Sequence, residues 1–279
     1  MISILNEFKA KKNYVVCIDS DGCAMDTMNI KHYKCFGPCM IKEWNLERWE
    51  NYILERWNEM NLYSMTRGIN RFKGLALALK EIDASYAPII GVNEFVEWTM
   101  NTDELSNQAI KTMLDVNPIF KRALHWSEAV NAAITALPEV EIQPFPYVKE
   151  ALTYIHQYAD IVIVSSANPE AVKEEWEKFG LMEEVDCMCA QDVGSKAYCI
   201  GELLKKGYEK NHVLMCGDAP GDDMAAEKNG VLFYPILVGN EAESWKNIVS
   251  EGMKHFLEDN YLENYQKKVR DAFYANLGA

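Results

Sequence analysis

No stretch of the 279-residue chain stays apolar for long enough to cross a bilayer as a helix, so no membrane partner is expected. No run of Lys and Arg is dense enough to grip a phosphate backbone, and 42 Asp and Glu against 28 Lys and Arg give a formal charge of −14. A nucleic-acid partner is therefore not expected. The opening residues Met1 to Lys9 include Glu7 and lack a basic-then-apolar leader, which makes the cytoplasm the expected compartment. Paired zinc-ligand spacing is also missing: of the eight cysteines, Cys35 and Cys39 are four apart and Cys187 and Cys189 two apart, while Cys17 and Cys216 fall in apparent core strands. All eight are expected as reduced thiols.

What is present is an ordinary globular composition, 49% hydrophobic and 25% charged, enough for two domains. The chain is organised around Tyr14 to Thr27. Tyr14-Val15-Val16-Cys17-Ile18 is apolar and partly β-branched, which predicts a buried strand, and Asp19-Ser20-Asp21-Gly22 follows as a polar turn. In a parallel sheet ligands bind outside the carboxyl ends of the strands, so Asp19 and Asp21 would set two acidic groups at that edge.

Residues 28–140 show no strand and helix alternation. Apolar spacing (Trp49, Ile53, Trp57, Met60) predicts a helix over 43–60, and similar patterns predict helices over 72–82, 92–100, 103–116 and 118–137. The prolines at 138, 144 and 146 mark a linker. Beyond it the alternation returns: a helix over 147–158, a strand over 161–164 ending in Ser165-Ser166, and a helix opened by Asn168-Pro169 and stopped at Gly180. A short strand over 185–190, a loop ending in Lys196 and its helix, and a strand over 212–216 running into Gly217-Asp218 come next. A helix ending at Gly230 and a strand over 231–234 follow. The expected architecture is α/β, a doubly wound parallel sheet with an all-helical cap domain inserted after the first strand. The core would be 1–27 with 141–240, the cap 28–140, and 241–279 a C-terminal helical extension packed on the core through Trp245, Ile248, Met253, Phe256 and Leu257.

Four apolar strands thus end in four polar signatures: Asp19 and Asp21, Ser165, the loop to Lys196, and Asp218 with Asp222. A parallel sheet would bring all four to one edge. In type and order they resemble the four motifs of the haloacid dehalogenase-like hydrolases, from Asp-Ser-Asp-Gly-Cys with Asp26-Thr27 to Gly-Asp-x-x-x-Asp followed by Ala225-Ala226 and Gly230. Two positions depart from that pattern: Ser20 stands where a bulky apolar residue is usual, and Cys23 where threonine is usual.

The residue types fit phosphoryl transfer. A carboxylate can attack phosphorus once the phosphoryl charge is screened, which makes Asp19 the candidate nucleophile, and the resemblance implies the same. Asp21 is offset toward the leaving group and suits a general acid and base. Ser165 offers a hydroxyl to a phosphoryl oxygen, with Ser166 as a competing donor. Lys196 supplies a balancing charge. A hard divalent cation, Mg2+, would be held by Asp19, the backbone carbonyl of Asp21, Asp218 and Asp222, with Asp223 in a structural or capping role. Within the cap, Thr66 to Lys73 sets Arg67, Arg71 and Lys73 beside Gly68, so Arg67 and Arg71 are the candidate substrate contacts. The expected activity is a Mg2+-dependent phosphohydrolase cleaving a phosphomonoester of a small metabolite through an aspartyl-phosphate, as monomer or homodimer. The alternatives are a phosphosugar mutase of the same family, a phosphonate-cleaving relative, or a catalytically silent binding protein.

Overall fold

A computed structural model describes residues 4–102 and 104–279, which divide into two compact units, Met1–Met28 with Ile142–Ala279 and Asn29–Glu141. The first unit is built on five parallel strands in the order β3-β2-β1-β4-β5: β1 (Tyr14–Ile18), β2 (Ala159–Val164), β3 (Cys187–Cys189), β4 (Val213–Gly217) and β5 (Leu232–Pro235). Ile18 lies opposite both Ile163 and Cys216, so the three central strands run out almost level. The chain order reverses direction beside β1, the place where open α/β sheets leave a crevice for ligands.

The second unit is helical: α1 (Met28–Lys31), α2 (Gly37–Trp44), α3 (Glu50–Leu62), α4 (Arg71–Ser85), α5 (Val92–Asn101), α6 (Asn107–Lys111) and α7 (Pro118–Thr135). The single helix expected over 43–60 is instead two. Asn45 takes a left-handed conformation (φ 55°) and returns its N–H to the carbonyls of Ile41 and Lys42, which ends α2 before α3 begins. The helix expected over 103–116 shortens to α6. Ser106 accepts from the Ala109 N–H and so fixes the start, and Asn117 caps α7 in turn; Asp103 itself lies outside the described residues. Trp57, Phe72, Phe95, Phe120 and Trp126 are buried in the core of this unit.

The remaining helices belong to the first unit: α8 (Val148–Ile155), α9 (Pro169–Lys178), α10 (Lys196–Leu204), α11 (Pro220–Asn229), α12 (Glu241–Asn247), α13 (Met253–Leu257) and α14 (Gln266–Asn276). Strand periodicity sorts them. Val16, Ile18, Ile161 and Ile163 face a layer holding Trp176, Trp245, Met253 and Phe256, whereas Val15, Cys17, Val162 and Val164 face Ile200, Leu203 and Phe273. The C-terminal segment is thus split between the two faces. Between them it passes the outer edge of β5. There Gln266 accepts the Phe233 N–H (3.1 Å), the Tyr261 hydroxyl donates to the Phe233 carbonyl (3.0 Å), and Asn276 accepts the Val238 N–H (3.0 Å).

At the start of β2, Asp160 is buried, and its Oδ2 accepts from the backbone N–H groups of Lys11 (2.9 Å) and Lys12 (3.0 Å) and from the Tyr208 hydroxyl (2.5 Å). These bonds pin the segment that leads into β1. An Asp160→Ala variant should lose about 3 kcal/mol, the scale of deleting hydrogen bonds to a buried charged group. Urea unfolding checks this, and a midpoint equal to that of the wild type would contradict it.

Candidate active site

Four loops deliver the polar groups to one edge of the sheet. Asp19 follows β1 directly, its N–H donating to the Cys216 carbonyl at 3.0 Å, so the strand pairing itself sets where the side chain begins. Ser165 follows β2, and its N–H continues the ladder to Cys189 (2.9 Å). Its Oγ accepts from the Ala167 N–H (3.1 Å), which leaves the hydroxyl proton to be donated elsewhere; Ser166 is exposed. Lys196 opens α10 just after Ser195, whose Oγ caps the helix by accepting from the Tyr198 N–H. Asp218 follows β4, and Asp222 sits in the first turn of α11, where its Oδ2 accepts from the Ala219 N–H at 3.1 Å.

The groups converge. Lys196 Nζ lies 2.8 Å from Asp19 Oδ2 and 2.5 Å from Asp222 Oδ1. Oxygens of Asp19, Asp218 and Asp222 all fall within 4.8 Å of one another, and all three residues are buried. Gly217 makes room for this: a Cβ there would stand 2.2 Å from Asp222 Cγ. Asp223 points away to α14, where Arg270 Nη2 (2.6 Å) and the Tyr274 hydroxyl (2.7 Å) hold its carboxylate, so Asp222 and not its neighbour joins the cluster.

Burial sets the electrostatics. It pushes the Asp19 carboxyl up to about 6; the Lys196 ammonium opposes that rise and the Asp222 charge adds to it. Asp222 is also raised by burial, against the pull of Lys196. Burial alone would lower the lysine, but Asp19 and Asp222 outweigh it and hold the ammonium charged. Three carboxylates thus gather around one ammonium in a buried site. That donor set, all hard carboxylate oxygen, fits Mg2+.

Asp21 stands two residues beyond Asp19, and its Oδ1 accepts from the Thr27 hydroxyl at 2.6 Å. The turn that carries Asp21 is tight: the Ser20 carbonyl takes the N–H groups of Cys23, Ala24 and Met25. The outgoing and returning linkers pair beside it, with Asp26 N–H on Gln143 O (2.8 Å) and Phe145 N–H on Ala24 O (3.0 Å). The Ser20 departure supplies an acceptor, since the Trp176 indole donates to Ser20 Oγ, whereas at Cys23 the main-chain carbonyl accepts from the Trp245 indole. A small hydroxyl where a large apolar side chain is usual was the available signal for the first.

In the second unit the two candidate arginines differ. Arg67 is 2% exposed and donates through Nη1 to the Leu62 carbonyl (2.7 Å), a contact that braces its own loop. Arg71 lies over the Phe36 ring (5.2 Å) and donates through Nη1 to Asn131 Oδ1 (2.7 Å) and Ser127 Oγ (3.1 Å), which are neutral acceptors. Burial holds this guanidinium below its ordinary pKa.

A family model for haloacid dehalogenase-like hydrolase matches residues 91–236, just over half of the chain. The Asp19 loop lies outside that match and reaches the site through the sheet. No curated protein matches the chain. Among solved structures, one described as a phosphoglycolate phosphatase from Lactobacillus delbrueckii subsp. bulgaricus is 14% identical, with a TM-score of 0.51 over 80% of this chain and 86% of that one. One described as a beta-phosphoglucomutase from Thermotoga maritima is 17% identical, with a TM-score of 0.43 over 80% and 84%. The first shares the fold. With the matched family model, the parallel sheet and the order of polar strand ends all in agreement, the chain belongs to the haloacid dehalogenase-like hydrolases.

Proposed function

We propose that the protein is a Mg2+-dependent phosphohydrolase acting on a phosphomonoester of a small metabolite through a phosphorylated Asp19. The observation that supports this most is the buried junction of Asp19, Asp218 and Asp222 with Lys196. Asp19, Asp218, Asp222 and the backbone carbonyl of Asp21 would hold the ion, which when bound would screen the phosphoryl oxygens. Asp19 attacks phosphorus as the carboxylate, forming an acyl-phosphate bond as the ester P–O bond breaks. Asp21 gives its proton to the departing oxygen, then as carboxylate takes a proton from the water that cleaves the acyl phosphate, restoring Asp19 and releasing phosphate. The Thr27 hydroxyl donating to Asp21 Oδ1 fixes the acid for both steps. Lys196 and the Ser165 hydroxyl face the transferring group, with Ser166 as an outer donor.

The helical unit would select substrates. Arg71 is its candidate anion contact, since neutral acceptors hold the guanidinium and leave its charge to a ligand; Arg67 supports the loop that presents it. Eight free cysteines favour a reducing, cytoplasmic setting, and no helix of the described residues is long and apolar enough to cross a membrane. A panel of phosphorylated metabolites tests the reading. Free phosphate should appear only with Mg2+ and stop with EDTA, whereas isomerised sugar phosphate without phosphate release would assign a mutase instead.

Protons and metal compete for Asp19. Because its carboxyl sits at about 6, the Mg2+ concentration for half-maximal activity should rise about tenfold from pH 7 to pH 5. A Mg2+ titration at each pH reads this directly, and a requirement that stays flat would remove Asp19 from the ligand set.

A further inference from the structure

The turn that follows Asp19 and carries Asp21 is held by two buried indoles. Trp176, on α9, donates from Nε1 to Ser20 Oγ at 2.9 Å, and Trp245, on α12, donates from Nε1 to the Cys23 carbonyl at 3.0 Å. Both tryptophans, Ser20 and Cys23 have no exposed surface. A buried N–H left without an acceptor is costly, so each bond constrains both of its ends. The first pair is mutually dependent. An apolar residue at position 20 would strand the Trp176 N–H, and a smaller residue at position 176 would leave the Ser20 hydroxyl facing a void. The second bond runs from the C-terminal segment, outside the residues matched by the family model, and grips the chain two residues after Asp21.

Resting on the phosphohydrolase reading, we infer that Trp176 and Trp245 are positioning residues for the Asp19 and Asp21 pair. Their N–H groups fix the Ser20 to Cys23 turn so that nucleophile and acid keep the offset that attack and leaving-group protonation require. Neither indole touches the phosphoryl group, so their loss should slow the chemical step and leave substrate binding nearly intact.

The test uses Trp176→Phe, Trp245→Phe, Ser20→Ala and the Trp176→Phe/Ser20→Ala double variant of the full chain, with p-nitrophenyl phosphate and Mg2+. Amide hydrogen exchange over residues 19–27 is followed in parallel. Each Phe variant should lower kcat about tenfold with KM within about twofold, the scale of one misplaced hydrogen bond. Exchange at Ala24 and Met25 should quicken. The double variant should fall no further than its worse parent, because both changes delete one bond. Ser20→Ala, the smaller change, keeps the Trp176 arm readable where a Phe variant folds poorly.

Exchange that stays at the wild-type rate overturns the inference whatever the kinetics, as does faster exchange with unchanged kcat or an additive double variant. Exchange needs no substrate. A wild type that fails to turn over phosphate esters would therefore defeat the phosphohydrolase reading while the exchange arm still decides whether the indoles set the turn.

Discussion

Asp19→Asn should abolish phosphate release, with kcat falling on the order of 10^4-fold or more. The amide has no nucleophilic oxygen, and the group facing the Lys196 ammonium at 2.8 Å would change from carboxylate to neutral amide. The same substitution should leave the metal-free fold intact. Burial already lifts the Asp19 carboxyl to about 6, so an ionised group at this place costs free energy that a neutral amide does not. The expected pair of results is therefore a dead enzyme with a melting temperature equal to or above that of the wild type in EDTA. Released phosphate and a thermal melt measure both, and turnover within tenfold of the wild type would remove Asp19 as nucleophile.

Removing Lys196 should be the second largest effect and should show itself differently. Its ammonium lies between Asp19 and Asp222, with a side chain only 15% exposed. In Lys196→Met the Asp19 and Asp222 carboxylates would lose the ammonium that lies between them. We expect kcat to drop on the order of 10^3-fold, as when a preorganised electrostatic group is deleted. Without Mg2+ the fold should lose about 3 to 5 kcal/mol, the cost of leaving buried charge uncompensated. Mg2+ should restore much of that stability, because a divalent ion balances the same carboxylates. Melting curves with EDTA and with Mg2+ should accordingly separate far more in the variant than in the wild type. Equal separation would show that lysine and metal do not share those oxygens.

The sheet and its polar strand ends were legible because both are local signals. Apolar β-branched runs such as Ile161 to Val164 have few alternatives to a buried strand, and reactive residues directly after such runs inherit their position from the strand. Asp222 was favoured over Asp223 by its spacing from Gly217 and by Ala225-Ala226 after it, and the two side chains do go to different partners, Lys196 and Arg270. The helical unit was harder. Nothing in Trp44-Asn45-Leu46 announces a left-handed residue except the asparagine itself, and the apolar stripe that predicts a helix over 43–60 begins only at Trp49, past the break. Contacts distant in sequence were out of reach altogether: Trp245 is 222 residues from Cys23, and apolar spacing presents it as packing alone. Ser20 gave the nearest hint, an acceptor where the family pattern has none.

The C-terminal segment has a further consequence at the border of the sheet. In a parallel strand both main-chain groups of one residue point the same way, and those of Phe233 point outward, where Gln266 and Tyr261 occupy them. Two residues on, Pro235 has no N–H to offer. At the β5 edge the main-chain groups of Phe233 are therefore taken up by side chains, and a sixth strand from another molecule would find neither of them to pair with. A chain stopped at residue 260 would reopen that flank beside apolar Phe233, and light scattering should report self-association where the intact protein stays dispersed.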